Sequence, residues 1–261
     1  MNEKRYMLIT GASGGIGYDL AKIAAADNRN LVLVARSAEK LNVLATELKK
    51  NNNIEVVAIA VDLSDEKGVN TLLEQIASQK LEIDILVNNA GFGDYGDFSK
   101  ADLSKNMEMI RLNISALTQL SHALMQGMLA SGKGRIMNVA SIAAFLPGPG
   151  MAVYYASKAY VLSFSEALSR ELKGSGVTVT ALCPGPTDTS FAIAAGLGKS
   201  LMHRMMPPST SANVAKAGYK AMMKGRTIEI PGLMNKLTAL TPRMTPRSIV
   251  RNMIYGIHKS H

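Results

Sequence analysis

The chain has 261 residues, 47% of them hydrophobic, and carries 29 Lys and Arg against 20 Asp and Glu, a formal charge of +9 at pH 7. That length can bury a substantial core, and the lack of a low-complexity tract, an internal repeat or a heptad series argues against disorder and against fibrous or solenoid forms. A single cysteine, Cys183, excludes an internal disulfide and a cysteine-built metal site, no apolar run reaches the roughly 18 uncharged residues of a membrane span, and residues 1–5 lead straight into apolar sequence without a signal segment, so a metal-free cytoplasmic protein is expected.

In chain order, a strand-like run at residues 6–9 meets Thr10-Gly11-Ala12-Ser13-Gly14-Gly15-Ile16-Gly17, and helical spacing follows at 19–26. A strand over 31–35 ends at Arg36 and precedes a helix over 38–50. A third strand over 54–60 ends near Asp62 and Leu63, before a helix over 66–79. The fourth, over 83–87, runs into Asn88-Asn89-Ala90-Gly91, and a long helix over 103–130 contains Asn113. The fifth, over 135–139, stops short of Ser141, and the helix after it, 152–173, carries Tyr154 and Lys158. The sixth, over 177–182, ends before Pro184-Gly185, and a helix over 212–224 and a strand over 227–230 close the series. Such alternation implies right-handed crossovers and a parallel sheet of about seven strands with helices on both faces, one Rossmann-type doubly wound α/β domain over residues 1–261. In that architecture ligands bind beyond the carboxyl ends of the strands, where Gly11, Arg36, Asp62, Asn88 to Gly91, Ser141 and Pro184-Gly185 fall.

The glycine loop between a strand and a helix suits a pyrophosphate: glycine permits positive φ and close backbone approach, and the helix N-terminus favours negative charge. A dinucleotide site that prefers a free ribose usually places an acid after the second strand. Here Arg36 stands there, able to grip a 2′-phosphate, so NADP(H) is expected ahead of NAD(H). Asp62 is open to two roles, accepting from the adenine amino group or capping the helix that starts near Ser64. Asn88 to Gly91 supplies amides and a close-approach glycine, or simply an Asx turn.

Tyr154 and Lys158 are four apart on a predicted helix and share a face, whereas Tyr155 points about 100° away. A free tyrosine titrates near ~10, and an adjacent ammonium together with an oxidised nicotinamide favours the phenolate. Tyr154 is therefore the expected acid/base, Lys158 its tuner and a ribose holder, and Ser141 a donor to a substrate carbonyl oxygen. Asn113 is expected either to hold a water that relays protons to Lys158 or to be an ordinary solvent-facing helix residue.

These residues together resemble the short-chain dehydrogenase/reductase family. Thr10-Gly11-x-x-x-Gly15-x-Gly17 is similar to its cofactor loop, Asn88 to Gly91 to its fourth-strand motif, and Asn113, Ser141, Tyr154 and Lys158 to its catalytic tetrad. Pro184-Gly185 followed by Thr189 resembles the segment that contacts the nicotinamide carboxamide and phosphate, and the likeness runs from about Arg5 to Thr189. It implies reversible hydride transfer between a nicotinamide and a carbonyl or alcohol, with Gly11, Ser13, Gly14, Gly15, Ile16, Gly17, Arg36, Asp62, Leu63, Asn89, Ala90, Gly91, Pro184, Gly185, Thr187 and Thr189 as cofactor contacts beside Tyr154 and Lys158. Gly14 stands where acyl-carrier-protein reductases that prefer NADP carry a base, which leaves the phosphate to Arg36. Phe92-Gly93-Asp94-Tyr95-Gly96 looks like a branch of bacterial and steroid-type reductases. The resemblance also suggests a homodimer or homotetramer packed through the long helices.

Phe191, Ile193, Leu197, Leu201, Met202, Met205 and Met206 make residues 190–210 the expected substrate lid and favour a hydrophobic carbonyl substrate. A basic extension over residues 233–261 is expected to begin a helix at Thr245-Pro246, with Ile249, Val250, Met253, Ile254 and Ile257 on one face. Docking of that face on its own body or on a second subunit is preferred, and peripheral contact with an anionic membrane comes second. No acid follows Glu229, and Lys236, Arg243, Arg247, Arg251 and Lys259 carry much of the excess charge. With no tryptophan and no recognised motif, nucleic-acid binding is not expected. The expected activity is thus an NADP(H)-dependent oxidoreductase. Its competitor is a sensor or scaffold that binds NADP(H) without turnover.

Overall fold

The first strand, β1 (Arg5–Thr10), is built from Tyr6, Met7, Leu8 and Ile9, which alternate between the two faces of a sheet buried on both sides. Met7 and Ile9 pack with Leu31, Leu33, Ile85 and Val87 on one face, whereas Leu8 packs with Val32, Val34, Ile59 and Leu86 on the other. The structure, a computed structural model, describes residues 4–189 and 208–259.

Around β1 lie β2 (Asn30–Ala35), β3 (Val56–Ala60), β4 (Glu82–Asn88), β5 (Gly134–Val139) and β6 (Val177–Leu182). Two short pairs follow, β7 (Thr187–Asp188) with β8 (Ser209–Thr210), and β9 (Ile228–Glu229) against β6. The main sheet is parallel throughout, in the order β3-β2-β1-β4-β5-β6-β9. The order reverses between β1 and β4, and the switch point opens a crevice at the carboxyl ends of those strands. The expected single α/β domain with a seven-stranded parallel sheet is what the chain forms.

Helices α1 (Gly15–Ala26), α2 (Ala38–Asn51) and α7 (Ser211–Met223) cover the first face, through Leu20, Leu41, Leu44, Val214 and Met222. Helices α3 (Gly68–Ser78), α5 (Leu117–Ala130) and α6 (Ala152–Glu171) cover the second, through Leu72, Ile76, Leu120, Met128 and Leu168. Two differences from the sequence reading matter for the site. The helix expected over 103–130 is α4 (Leu103–Ile110) joined to α5 by a π-helical stretch, Arg111–Ala116, which contains Asn113. The extension is two helices, α8 (Leu233–Met244) and α9 (Arg247–Lys259), of which only the second was expected. Residues 190–207 of the expected lid lie outside the described residues, and its last two positions form β8.

Candidate active site

The crevice is built from the strand ends inward. Gly11 (φ 66°) and Gly15 (φ 54°) turn the chain out of β1 and into α1. Gly17 is demanded by contact: a Cβ there would lie 2.4 Å from the Gly11 carbonyl oxygen and 2.5 Å from Asn89 Nδ2. Gly14 caps α1 without any side-chain hydrogen bond, and nothing lies within 4 Å of where its Cβ would be. The first N–H groups of α1 therefore face an open, Cβ-free cradle, the feature that admits a phosphate. Ser13 is half-buried in the same loop, and Ile16 packs into the core beneath it. Thr189 lies across the crevice, with Cγ2 3.0 Å from where a Gly15 Cβ would stand.

Thr10 opens the glycine loop in the sequence, and the structure gives it a role of its own. Its Oγ1 accepts from the Asn89 and Ala90 N–H groups, both at 2.9 Å, and Asn89 Nδ2 donates back to the Thr10 and Gly11 carbonyls at 2.9 and 3.1 Å. This clamp ties β4 to the glycine loop, so Asn89 shapes the cradle from below. Asn88 makes no Asx turn. Its Nδ2 donates to Asn138 Oδ1 (2.9 Å) and Ser121 Oγ (3.0 Å), and Asn138 Nδ2 donates to Ser165 Oγ (2.9 Å), a buried amide ladder that holds α5 and α6 to the sheet.

At the other end of the cradle, Arg36 has an 81% exposed side chain, and its Nη1 lies 4.0 Å from Asp62 Oδ2. Asp62 Oδ1 accepts from the Ser64 N–H (2.9 Å) and hydroxyl (2.6 Å). It closes a turn upstream of α3, which begins at Gly68 rather than near Ser64, so the helix-cap expectation is corrected to a turn. Leu63 packs its side chain into the core. Pro184 accepts from the Ile142 N–H at 2.9 Å, the Thr187 hydroxyl donates to the Gly185 carbonyl at 2.9 Å, and Gly185 abuts Asn235 of α8.

Tyr154, Lys158, Ser141 and Asn113 converge, all buried. Ser141 is hydrogen-bonded to the Tyr154 phenol, and its Oγ accepts from the Ala143 N–H at 3.1 Å. Lys158 Nζ donates to the Val139 carbonyl at 2.8 Å and stands 5.9 Å from the Tyr154 ring centroid. Gly91 fills the space between Asn113 and Lys158: a Cβ there would lie 2.9 Å from Asn113 Oδ1 and 3.4 Å from Lys158 Nζ. Tyr155 packs its ring against Gly148 and edge-on to Tyr154, as a wall.

Burial governs this cluster, and the solvent-facing reading of Asn113 is corrected. Burial pushes the Tyr154 phenol up to about 12, with the Ser141 hydrogen bond opposing it, and burial pulls Lys158 down to about 8. Desolvation is the larger cause in both shifts, since burial penalises the phenolate and the ammonium alike. Asn113 is neither solvent-facing nor a free water-holder through its side chain. Its Oδ1 accepts from the Phe92 N–H (3.2 Å), and its Nδ2 donates to the Phe92 carbonyl and to Ser157 Oγ, both at 3.0 Å. Ser157, unmentioned by the sequence reading, donates in turn to the Tyr154 carbonyl at 2.7 Å. The π-helical stretch turns Asn113 into this contact, a common placement for such widened turns.

The phenol lies in an apolar cluster with Met109, Ala143, Leu146 and Met151, closed by Val250 and Ile254 of α9 and flanked by Phe92 and Tyr95. Among the described residues no group of three or more His, Cys, Asp or Glu could hold a metal ion, and no helix is long and apolar enough to cross a membrane.

A glycine cradle at the switch point, with a buried serine, tyrosine and lysine beside it, describes a nicotinamide-dependent oxidoreductase. The family model for short chain dehydrogenases matches residues 5–199, and the chain belongs to that family. It is 30% identical over 261 residues to the very-long-chain 3-oxoacyl-CoA reductase of Rattus norvegicus, covering 98% of this chain and 80% of that one. A short-chain dehydrogenase from Sphingobium yanoikuyae, solved in complex with NADPH, superposes with a TM-score of 0.82 at 30% identity, over 98% of each chain. The bulky-bulky ketone specific alcohol dehydrogenase from Comamonas testosteroni superposes with a TM-score of 0.77 at 29% identity, covering 100% of this chain and 97% of that one. The protein is thus a short-chain oxidoreductase acting on a carbonyl or alcohol.

Proposed function

We propose that this oxidoreductase uses NADP(H) to reduce a hydrophobic ketone or aldehyde, with Tyr154 as proton donor, Ser141 and Lys158 beside it and Asn113 as a positioning residue. The observation that carries the reading is the buried Tyr154 hydroxyl, bonded to Ser141 and backed by Lys158 at the mouth of a Cβ-free phosphate cradle. The cradle and the exposed Arg36 fit a dinucleotide bearing a 2′-phosphate. When bound, that group supplies or accepts the hydride.

Gly14 and the first turn of α1 would hold the pyrophosphate, Arg36 the 2′-phosphate, and Lys158 and Thr189 the nicotinamide end. Ser141 donates to the substrate oxygen and fixes it beside the phenol. Tyr154 is protonated at neutral pH, as a phenol of ordinary pKa already would be and as burial reinforces, and in that state it can hand its proton to the oxygen as negative charge develops there. The reverse reaction needs the phenolate, which the Lys158 ammonium and an oxidised ring would favour. Met109, Leu146, Met151, Val250 and Ile254 around the phenol favour an apolar substrate, and the names of the rat and Comamonas relatives point the same way. Exposed Leu103, Met107 and Tyr160 on α4 and α6 are where we place a homo-oligomer contact.

Consumption of NADPH with a panel of aldehydes and ketones tests the reading. Tyr154→Phe is expected to abolish turnover while NADPH still binds. Unchanged background consumption in both proteins, with no substrate found, would favour the sensor or scaffold reading.

A further inference from the structure

Helix α8 presents its apolar side outward. Asn235 and Ala239 face the body at 8% and 4% exposure, and Asn235 touches Gly185 at the edge of the crevice. Leu233, Leu237, Leu240 and Met244, spaced by four, three and four residues, form a stripe on the other side at 75%, 52%, 50% and 88% exposure. In α9, Val250 and Ile254 are seated in the cluster around Tyr154, while Ile249 and Met253 remain 57% and 47% exposed. The expected single apolar face of this helix is thus split between the body and the outside. Most of the large apolar side chains exposed among the described residues belong to these two helices. A stripe of this kind marks an interaction surface.

Charge identifies what covers it. Lys236, Arg247 and Arg251 are exposed on the same helices, and no acid follows Glu229 to balance them. A second copy docked on these helices by a two-fold axis would bring their unbalanced cations together. An anionic lipid surface satisfies both features, with apolar side chains at the acyl boundary and cations at the phosphates. We propose that α8 and α9 are a peripheral docking surface for anionic bilayers, set on the side of the crevice that Asn235 and Ile254 close. The proposal does not depend on the chemistry assigned to Tyr154.

The full chain is sedimented with vesicles of phosphatidylcholine alone and of phosphatidylcholine mixed with phosphatidylglycerol. Binding only to the mixed vesicles, weakened by salt, is expected. Arg247→Gln with Arg251→Gln should weaken it about thirtyfold, at ~1 kcal/mol for each cation. Leu237→Gln with Leu240→Gln should weaken it about tenfold or more at an unchanged melting temperature, since both side chains are exposed. Because the two pairs act on separate features, one suffices if the other misfolds. Wild-type protein left in the supernatant with both vesicle types, or variants that bind as well as wild type, would overturn the proposal. A leucine pair that halves the mass in light scattering without vesicle binding would reassign the face to a second copy.

Discussion

Tyr154 and Lys158 show how burial and charge compete in one residue pair. Lys158 ordinarily titrates at 10.5 and is lowered to about 8, so between those values the unfolded chain holds a proton that the folded chain has released. Stability from this group therefore rises with pH through that window, and below about 8 the buried charge is a cost. Lys158→Met should remove the rise, read as the difference between urea midpoints at neutral and alkaline pH. The Tyr154 phenol, held near 12, should be missing from the tyrosinate absorbance that grows in around pH 10. Adding oxidised cofactor should bring it down, and Tyr154→Phe should erase that change. At the far end of the crevice, Arg36→Ala should raise the KM for NADPH roughly ten- to a hundredfold and leave NADH nearly unaffected, the effect of one charge-assisted hydrogen-bonding group. Equal loss with both cofactors would refute its phosphate role.

At the scale of elements, the turn into α1 is defined by contacts as much as by conformation. A Gly17→Ala methyl would collide with the Gly11 carbonyl and Asn89, so the loop and its clamp to β4 must shift. Loss of cofactor affinity, measured by fluorescence titration, should accompany loss of stability. Helix α9 closes the apolar cluster, and Ile254→Ala should cost ~2–4 kcal/mol in chemical denaturation. The same change should raise the KM for bulky ketones more than for small ones. Most of the elements follow the apolar periodicity of the sequence, because a strand buried on both faces and a helix buried on one leave different repeats. The π-helical stretch left no such mark: its residues keep helical spacing, and only the demand of Phe92 and Ser157 for the Asn113 amide accounts for the register. Helix α8 escaped because its apolar residues point outward and Pro242 lies within it.

At the scale of the molecule, six strand ends meet at one crevice, so a ligand that fills it contacts most of the sheet. NADPH at a hundredfold its Kd should stabilise the fold by ~2.7 kcal/mol, or roughly 5–10 °C in Tm, with NADH at the same concentration giving less and Arg36→Ala abolishing the difference. The parallel sheet, its number of strands and the residues brought to its carboxyl edge were legible in the sequence, since hydrophobic alternation, crossover handedness and glycine chemistry are local or near-local rules. The protonation of Tyr154, the partners of Asn113 and Asn88 and the outward stripe of α8 depended on tertiary structure. Each is set by how much water is excluded and by which distant group claims a hydrogen bond, and neither quantity exists until the chain has packed.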